Sequence, residues 1–406
     1  MKKQIFKLAV PLCLALLVSC GDQKAENPNP EPKLIDADQD GYDSTKDCND
    51  NNAAIHPEAA EVIKDGIDQN CTGSDKLLIK TTYLSDQEAD GVFESKQSIK
   101  YSYNALSLTT EEATDLGDDG SINASIKISY NDKGKPVEMR QDTNGDGKDD
   151  GVVYLVYDDQ GNKTEQKVDK DGNGSIDAKT IYTYDANGNQ LTKSEDKDNN
   201  GVFENLTKNY YNGKNLLIRV EQDDENDGKL NAITEYNYND EGLQTLYSLD
   251  FNADGVFDSI EKHEYDAQGN SIKLLQDNNG DGKWDHINTF TYDERRNQLS
   301  GSFDNNGDGV VDETQKNQYD EKNRLIQSER DNNNDGKIDY KTVYNFDDAQ
   351  GLMKQTEDYE GDGLPNYLFE RRTQNEGTIT TICDYRDNDA NGQWNMIECV
   401  KNEYNE

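Results

Sequence analysis

The sequence predicts an all-β fold. It reads as an antiparallel array of β-hairpin repeats, 27 residues each, that coils or spirals, with a small loop-rich metal-binding module before it. Three observations predict it. An acidic loop pattern, Asp-x-(Asn/Asp)-x-Asp-Gly-x-apolar-(Asp/Asn), starts at Asp115, Asp142, Asp169, Asp196, Asp223, Asp250, Asp277, Asp304, Asp331 and Asp358, always 27 residues apart, and outer copies start at Asp86 and Asp387, each 29 residues from its neighbour. An aromatic keeps the same phase fifteen residues after the loop start: Tyr130, Tyr157, Tyr184, Tyr211, Tyr238, Tyr265, Tyr292, Tyr319 and Phe346. The intervening segments, such as Lys179-Thr-Ile-Tyr-Thr-Tyr184, are rich in β-branched and aromatic residues and show no 3.6-residue apolar period.

Composition sets the boundary conditions. The chain has 406 residues with 83 Asp plus Glu against 42 Lys plus Arg, a formal net charge of −41 and an apolar fraction of 32%. So acidic a chain is not expected to bind nucleic acid or an anionic membrane face, both of which need a positive patch. His56, His263 and His286 are the only histidines. They are too few and too scattered for a multi-histidine metal site. Low apolarity leaves little material for an ordinary core, so the period itself must supply the stability.

At the N-terminus, Lys2, Lys3 and Lys7 precede an apolar run from Leu8 to Val18, which describes a secretory signal too short for a comfortable span. Leu17-Val18-Ser19-Cys20 resembles the lipobox of bacterial lipoproteins, which implies a signal peptide over 1–19 and lipidation of Cys20. Gly21, rather than Asp, follows that cysteine, and the resemblance then implies the outer membrane, periplasmic or cell-surface facing. Residues 20–34, with Pro28, Pro30 and Pro32 among polar residues, read as an extended tether. Membrane contact is expected through the lipid alone.

Residues 35–75 form the acidic module. Asp36, Asp38, Asp40 and Asp43 alternate around Gly41, with Asp47 close behind, and such carboxylates converge readily on a hard cation. Together with Cys48, Asp50, His56, Pro57, Glu61, Asp65, Gly66, Asp68 and Cys71, they resemble the metal-binding motif of MopE-type copper-binding proteins. Copper is disfavoured by the residues themselves, because one histidine and no thioether cluster make a poor copper site; calcium suits the oxygen-rich set. Four cysteines remain beyond the lipobox, and in an oxidising compartment closeness in sequence favours Cys48–Cys71 and Cys383–Cys399.

Residues 76–406 are the repeats. Each is expected to be two short strands, with the acidic loop at one end and a turn such as Tyr184-Asp-Ala-Asn-Gly-Asn at the other. These units resemble the YD-repeat (RHS-type) family, lengthened by the acidic loop, and the loop resembles the hairpin Ca²⁺ loops of integrin-type β-propellers and, more distantly, EF-hands. Side-chain oxygens at loop positions one, three, five and nine are the candidate ligands. They are Asp142, Asn144, Asp146 and Asp150; Asp169, Asp171, Asn173 and Asp177; and Asp196, Asp198, Asn200 and Glu204. Further round the array stand Asp223, Glu225, Asp227 and Asn231; Asp250, Asn252, Asp254 and Asp258; and Asp277, Asn279, Asp281 and Asp285. The last sets are Asp304, Asn306, Asp308 and Asp312, then Asp331, Asn333, Asp335 and Asp339.

Position eight is apolar in most copies, from Ile122 to Ile338, and is expected to pin the loop to the sheet. Position twelve carries the bidentate Glu of an EF-hand only at Glu261, so a hairpin loop is favoured over a helix pair. Two copies depart from the pattern: Gly117 replaces a ligand, and Pro365 takes an apolar position. With few charged ligands, affinities of about 10⁻⁵–10⁻³ M are expected. Plain turn chemistry is the competing explanation, since Asp, Asn and Gly also make good turns.

The function expected from this pattern is a calcium-binding, lipid-anchored envelope protein with a structural or adhesive role, acting as a monomer on a surface glycan or protein ligand. The alternative is a lipoprotein that sequesters copper or another cation. A glycan-active enzyme is disfavoured, because an acid motif copied twelve times argues for structure and catalytic sites are singular.

Overall fold

The computed structural model describes residues 77–104 and 107–404 and, before them, 38, 40–42, 46–49, 52–57, 59, 69 and 71. The signal segment, Cys20 and the tether lie outside the described residues. The repeats form 24 β-strands and, among the described residues, no helix. Every strand runs antiparallel to its sequence neighbours. β1 (Leu78–Asp86) pairs with β2 (Ser95–Tyr103) and also with β24 (Met396–Tyr404), so the sheet closes on itself. The coiled hairpin array expected from the period is therefore a closed up-and-down barrel, which removes the two open edges such a sheet would otherwise expose. With strands about 4.8 Å apart, 24 of them span a circumference of about 115 Å, hence a diameter of at least about 37 Å.

No strand touches any but its two neighbours in the sheet. There is thus no second layer, and the buried interior is thin. Among the described residues, 25 polar side chains are buried against nine apolar ones. The apolar cluster joins Met139, Val153 and Leu155, with Ile126, Ile128, Tyr157 and Val168 packed on it. Elsewhere the sheet is held by its ladder, by cross-strand ion pairs such as Lys341–Glu329 at 2.8 Å, and by the tyrosines.

Those tyrosines have a defined task. Tyr130, Tyr184, Tyr211, Tyr238, Tyr265, Tyr292 and Tyr319 each donate their hydroxyl proton to a backbone carbonyl 21 residues earlier, at 2.6–3.2 Å. That carbonyl belongs to the first residue of the preceding strand, so each ring straps one strand to the next. The same residues sit at bulges, where the register slips as the strand enters its turn. The turn is fixed by its Asx residue. Asp185 accepts the N–H groups of Asn187 and Asn189 on Oδ1 and the Asn189 amide on Oδ2. That amide bond, with the backbone donors, holds Asp185 below the usual carboxylate range. This explains why Tyr-Asp is followed by Gly-Asn.

The seam is reinforced. Most strands have seven residues, whereas β1, β2 and β24 have nine, as does β23 (Ile379–Asp387), and β22 (Tyr367–Glu376) has ten. Closure joins residues about as far apart as the chain allows, and Thr81 donates its hydroxyl proton to Asn402 across 321 positions. The longer ladder there offsets the chain entropy that this closure costs. Both expected disulfides are present: Cys48–Cys71, with Cα atoms 5.4 Å apart, and Cys383–Cys399 at 4.1 Å, directly opposite in the β23–β24 ladder.

Candidate metal centres

The hairpin topology gathers all twelve acidic loops on one rim and the Tyr-Asp turns on the other. Within each loop the same hydrogen bonds recur. The Asp at position one accepts the N–H of position six on Oδ2 in every copy, at 2.7–2.9 Å. These aspartates are buried, Asp86 and Asp387 completely, and only Asp358 is half-exposed. At Asp142, burial raises the carboxyl, but the N–H groups of Gly147, Gly145 and Asn144 outweigh it and hold the group below its ordinary range. Position five caps the N–H of position seven, as Asp281 does for Lys283 at 2.9 Å. Position nine reaches back to the N–H of position two, as Asp285 does for Asn278 at 2.7 Å.

Each loop is thus tied by its own backbone donors, and much of the Asp, Asn and Gly pattern serves the turn. The carboxylates nonetheless converge. One oxygen from each of Asp169, Asp171 and Asp177 lies within 4.8 Å of the others; the same holds for Asp196, Asp198 and Glu204, and for Asp86, Asp90 and Glu94 in the first loop, which the candidate ligand sets left out. In the copies starting at Asp142, Asp223, Asp250, Asp277, Asp304 and Asp331, asparagine fills one of the four positions, the third in all but the copy at Asp223, where it is the ninth, while the same position-one and position-nine bonds hold the same bend. Some copies carry a competing cation: Lys229 stands 3.1 Å from Asp227, and Lys337 3.6 Å from Asp335.

The loop at Asp115, where Gly117 interrupts the pattern, has its own solution. Lys80, Lys96 and Ser98 all donate to Asp118, at 2.6–2.8 Å, and hold its carboxyl far below the ordinary range. Glu261, the lone match to an EF-hand's twelfth position, turns to His263 (2.7 Å) and Gln276 (3.0 Å). Position eight is only half-buried in most copies, and Ile122 and Pro365 are exposed.

Sequence reasoning missed position four. In all twelve loops it has positive φ, whether Gly, Asn, Asp or Ala. In eight of the loops it meets the position-eight carbonyl of the preceding loop. Asn199, Asn226 and Asn334 donate their amide protons to Ile176, Phe203 and Val311, each at 2.9 Å. Where the residue is glycine, the backbones approach so closely that a Cβ at Gly307 would lie 1.7 Å from the Trp284 carbonyl oxygen. The signal was present in the sequence: every fourth residue is small or tolerant of the left-handed region.

In the N-terminal module, Asp38, Asp40 and Asp47 converge within 4.8 Å; Asp36 and Asp43 lie outside the described residues. Asp47 is buried, its Oδ1 accepting the N–H of Asn49, and Asp40 Oδ1 accepts that of Tyr42. Burial, and then the Asp40 carboxylate beside it, push Asp38 up. His56 has its Nδ1 2.7 Å from the Pro57 carbonyl oxygen, and its ring stacks on Tyr42 at 5.2 Å.

A family model described as "Putative metal-binding motif" (Cu-binding MopE) matches residues 47–75, 302–313 and 372–394. The first match covers the disulfide-closed module; the other two fall on the loop at Asp304 and on the last repeat. No curated protein matches the sequence. Similar solved structures include the Photorhabdus luminescens Tc holotoxin pore with a TccC3-D651A mutation, at 11% identity and a TM-score of 0.40, covering 76% of this chain and 16% of that one. Another is the TcdB2-TccC3-Cdc42 complex, at 14% identity and a TM-score of 0.33, covering 75% and 20%. The chain spans about a fifth or less of the toxin chains it matches.

Proposed function

We propose that this chain is a lipid-anchored protein of the bacterial envelope whose barrel is a structural or binding shell, rimmed by loops that take Ca²⁺, and that it catalyses no reaction. The observation that carries the reading is the repeated convergence of carboxylates on one rim, a buried one with half-buried or exposed ones, as at Asp169, Asp177 and Asp171. Neighbouring loops touch through position four, so their negative charges are forced close together, and divalent ions relieve that repulsion. Oxygen-only donors favour a hard cation. Attachment through Cys20 is the natural route to a membrane, since charged pairs stand on both faces of the barrel wall: Lys262 and Glu264 on one face, and Lys193 and Glu195 on the face that carries Tyr182. The repeated loops offer no singular acid pair for hydrolysis.

Calorimetric Ca²⁺ titration of the purified mature protein, with melting curves in chelator, tests the reading. Several ions per chain and a lower melting temperature in chelator are expected. A chain whose barrel binds no Ca²⁺ and melts identically in chelator would reduce the loops to turns.

A further inference from the structure

The copper named for the matching family does not fit the residues this chain presents. Soft copper seeks thiolates, thioethers or several imidazoles. Here both module thiols are consumed in Cys48–Cys71, and the single imidazole is stacked on Tyr42 with its Nδ1 against a carbonyl. The donors that do lack partners are hard oxygens. Asp38 Oδ1 and Oδ2, Asp40 Oδ2 and Asp47 Oδ2 are all buried without a hydrogen bond, and Asp47 is 6% exposed. Buried, unpaired carboxylate oxygens are too costly to stand alone and call for a cation among them.

We propose that the N-terminal module is a hard-cation site, binding one Ca²⁺-class ion through Asp38, Asp40 and Asp47, and that its closed disulfide is what keeps copper out. Asp47 belongs to two converging groups. One is the carboxylate trio; the other joins it to the sulfurs of Cys48 and Cys71, again within 4.8 Å. While the disulfide is closed, those sulfurs carry no thiolate and only the oxygen set binds. A reducing thiol would deliver two electrons and two protons across the Sγ–Sγ bond, giving two module thiols and leaving the reductant as its own disulfide. A soft cation would then displace the thiol protons and bind the sulfurs beside Asp47. Disulfide state thus selects the class of metal at one aspartate. This site is independent of the rim loops.

Native mass spectrometry of the full mature chain in CaCl₂ tests it, comparing wild type, Asp47→Asn and Asp38→Asn. Each variant is expected to bind one Ca²⁺ fewer than wild type, with the barrel's melting unchanged. An equal count in Asp38→Asn overturns the site, and that variant decides the matter if Asp47→Asn fails to close the disulfide, because Asp38 is only half-buried, whereas Asp47 is buried and accepts the N–H of Asn49. Should the rim loops bind nothing, wild type would hold a single ion that both variants lack, so the two readings fail separately. For the metal class, Cu(I) is offered from bicinchoninate in a C383S/C399S background. Oxidised protein is expected to leave the copper with the chelator, and phosphine-reduced protein to take it. Uptake by the oxidised protein, or none after reduction, overturns the selection by the disulfide.

Discussion

Replacing Asp277 by alanine separates the two roles of a loop aspartate. The side chain is 1% exposed and accepts the N–H of Gly282 at 2.9 Å and that of Asn279 at 3.3 Å. Bonds to a charged acceptor contribute about 1.5–3 kcal/mol each, and their loss here strands two donors, so about 3–5 kcal/mol is expected. Urea denaturation followed by the strand band in circular dichroism, run in chelator, measures the loss with no metal present. Asn279→Ala is the companion: its amide oxygen is exposed and accepts only the Asp281 N–H at 2.9 Å, worth about 0.5–1.5 kcal/mol. Added Ca²⁺ is expected to stabilise wild type more than Asn279→Ala. An Asp277→Ala protein as stable in chelator as wild type would refute the argument that the first aspartate anchors the loop backbone. Asp358→Ala, at the one half-exposed copy, is expected to cost less, because water reaches the freed donors.

Other outcomes follow from the same geometry. Asn226→Ala loses the bond to Phe203 and leaves alanine at φ 47°, a loss of about 1–2 kcal/mol by urea titration, whereas Gly307→Asn is expected to destabilise as well, because its Cβ would lie 1.7 Å from the Trp284 carbonyl oxygen and the two loops would have to part. Tyr265→Phe removes a 2.6 Å bond to the Gln244 carbonyl and is expected to lower stability by about 1 kcal/mol, read by thermal melting. Asp142 and Asp387 are held below their ordinary values, so their contribution is complete above the unfolded value near about 4 and is lost as pH falls through the lower folded value. Melting temperature in chelator should therefore be flat from neutrality to about pH 5 and drop below about pH 4. Val400→Pro, which breaks the ladder to both Tyr83 and Ile382, is expected to open the seam and enlarge the hydrodynamic radius; an unchanged radius would show that closure does not depend on this pairing.

The comparison with the sequence divides by range. The period, the strands, the acidic loops and the Tyr-Asp turns were legible because each is built from residues within one unit, where turn chemistry and alternation act locally. The disulfides were legible for a related reason, being short-range. Position four was less visible, because its conformation is local but its partner is the neighbouring loop. So was the role of the tyrosines: their phase marked them, while the carbonyl they bond lies a strand away. At Asp169 and Asp196 three carboxylates of each expected set converge, yet the same oxygens also prove to be backbone acceptors, which no spacing rule distinguishes.

Taken by itself, then, the sequence determined an all-β hairpin array with acidic loops and aromatic turns in fixed register, since a 27-residue unit carries its own instructions. Only the tertiary structure decided that the array closes, that β1 meets β24, and that twelve loops share a rim. Twist and curvature accumulate over 24 strands, and the pairing that ends them joins residues some 320 positions apart. No local pattern encodes a contact at that distance.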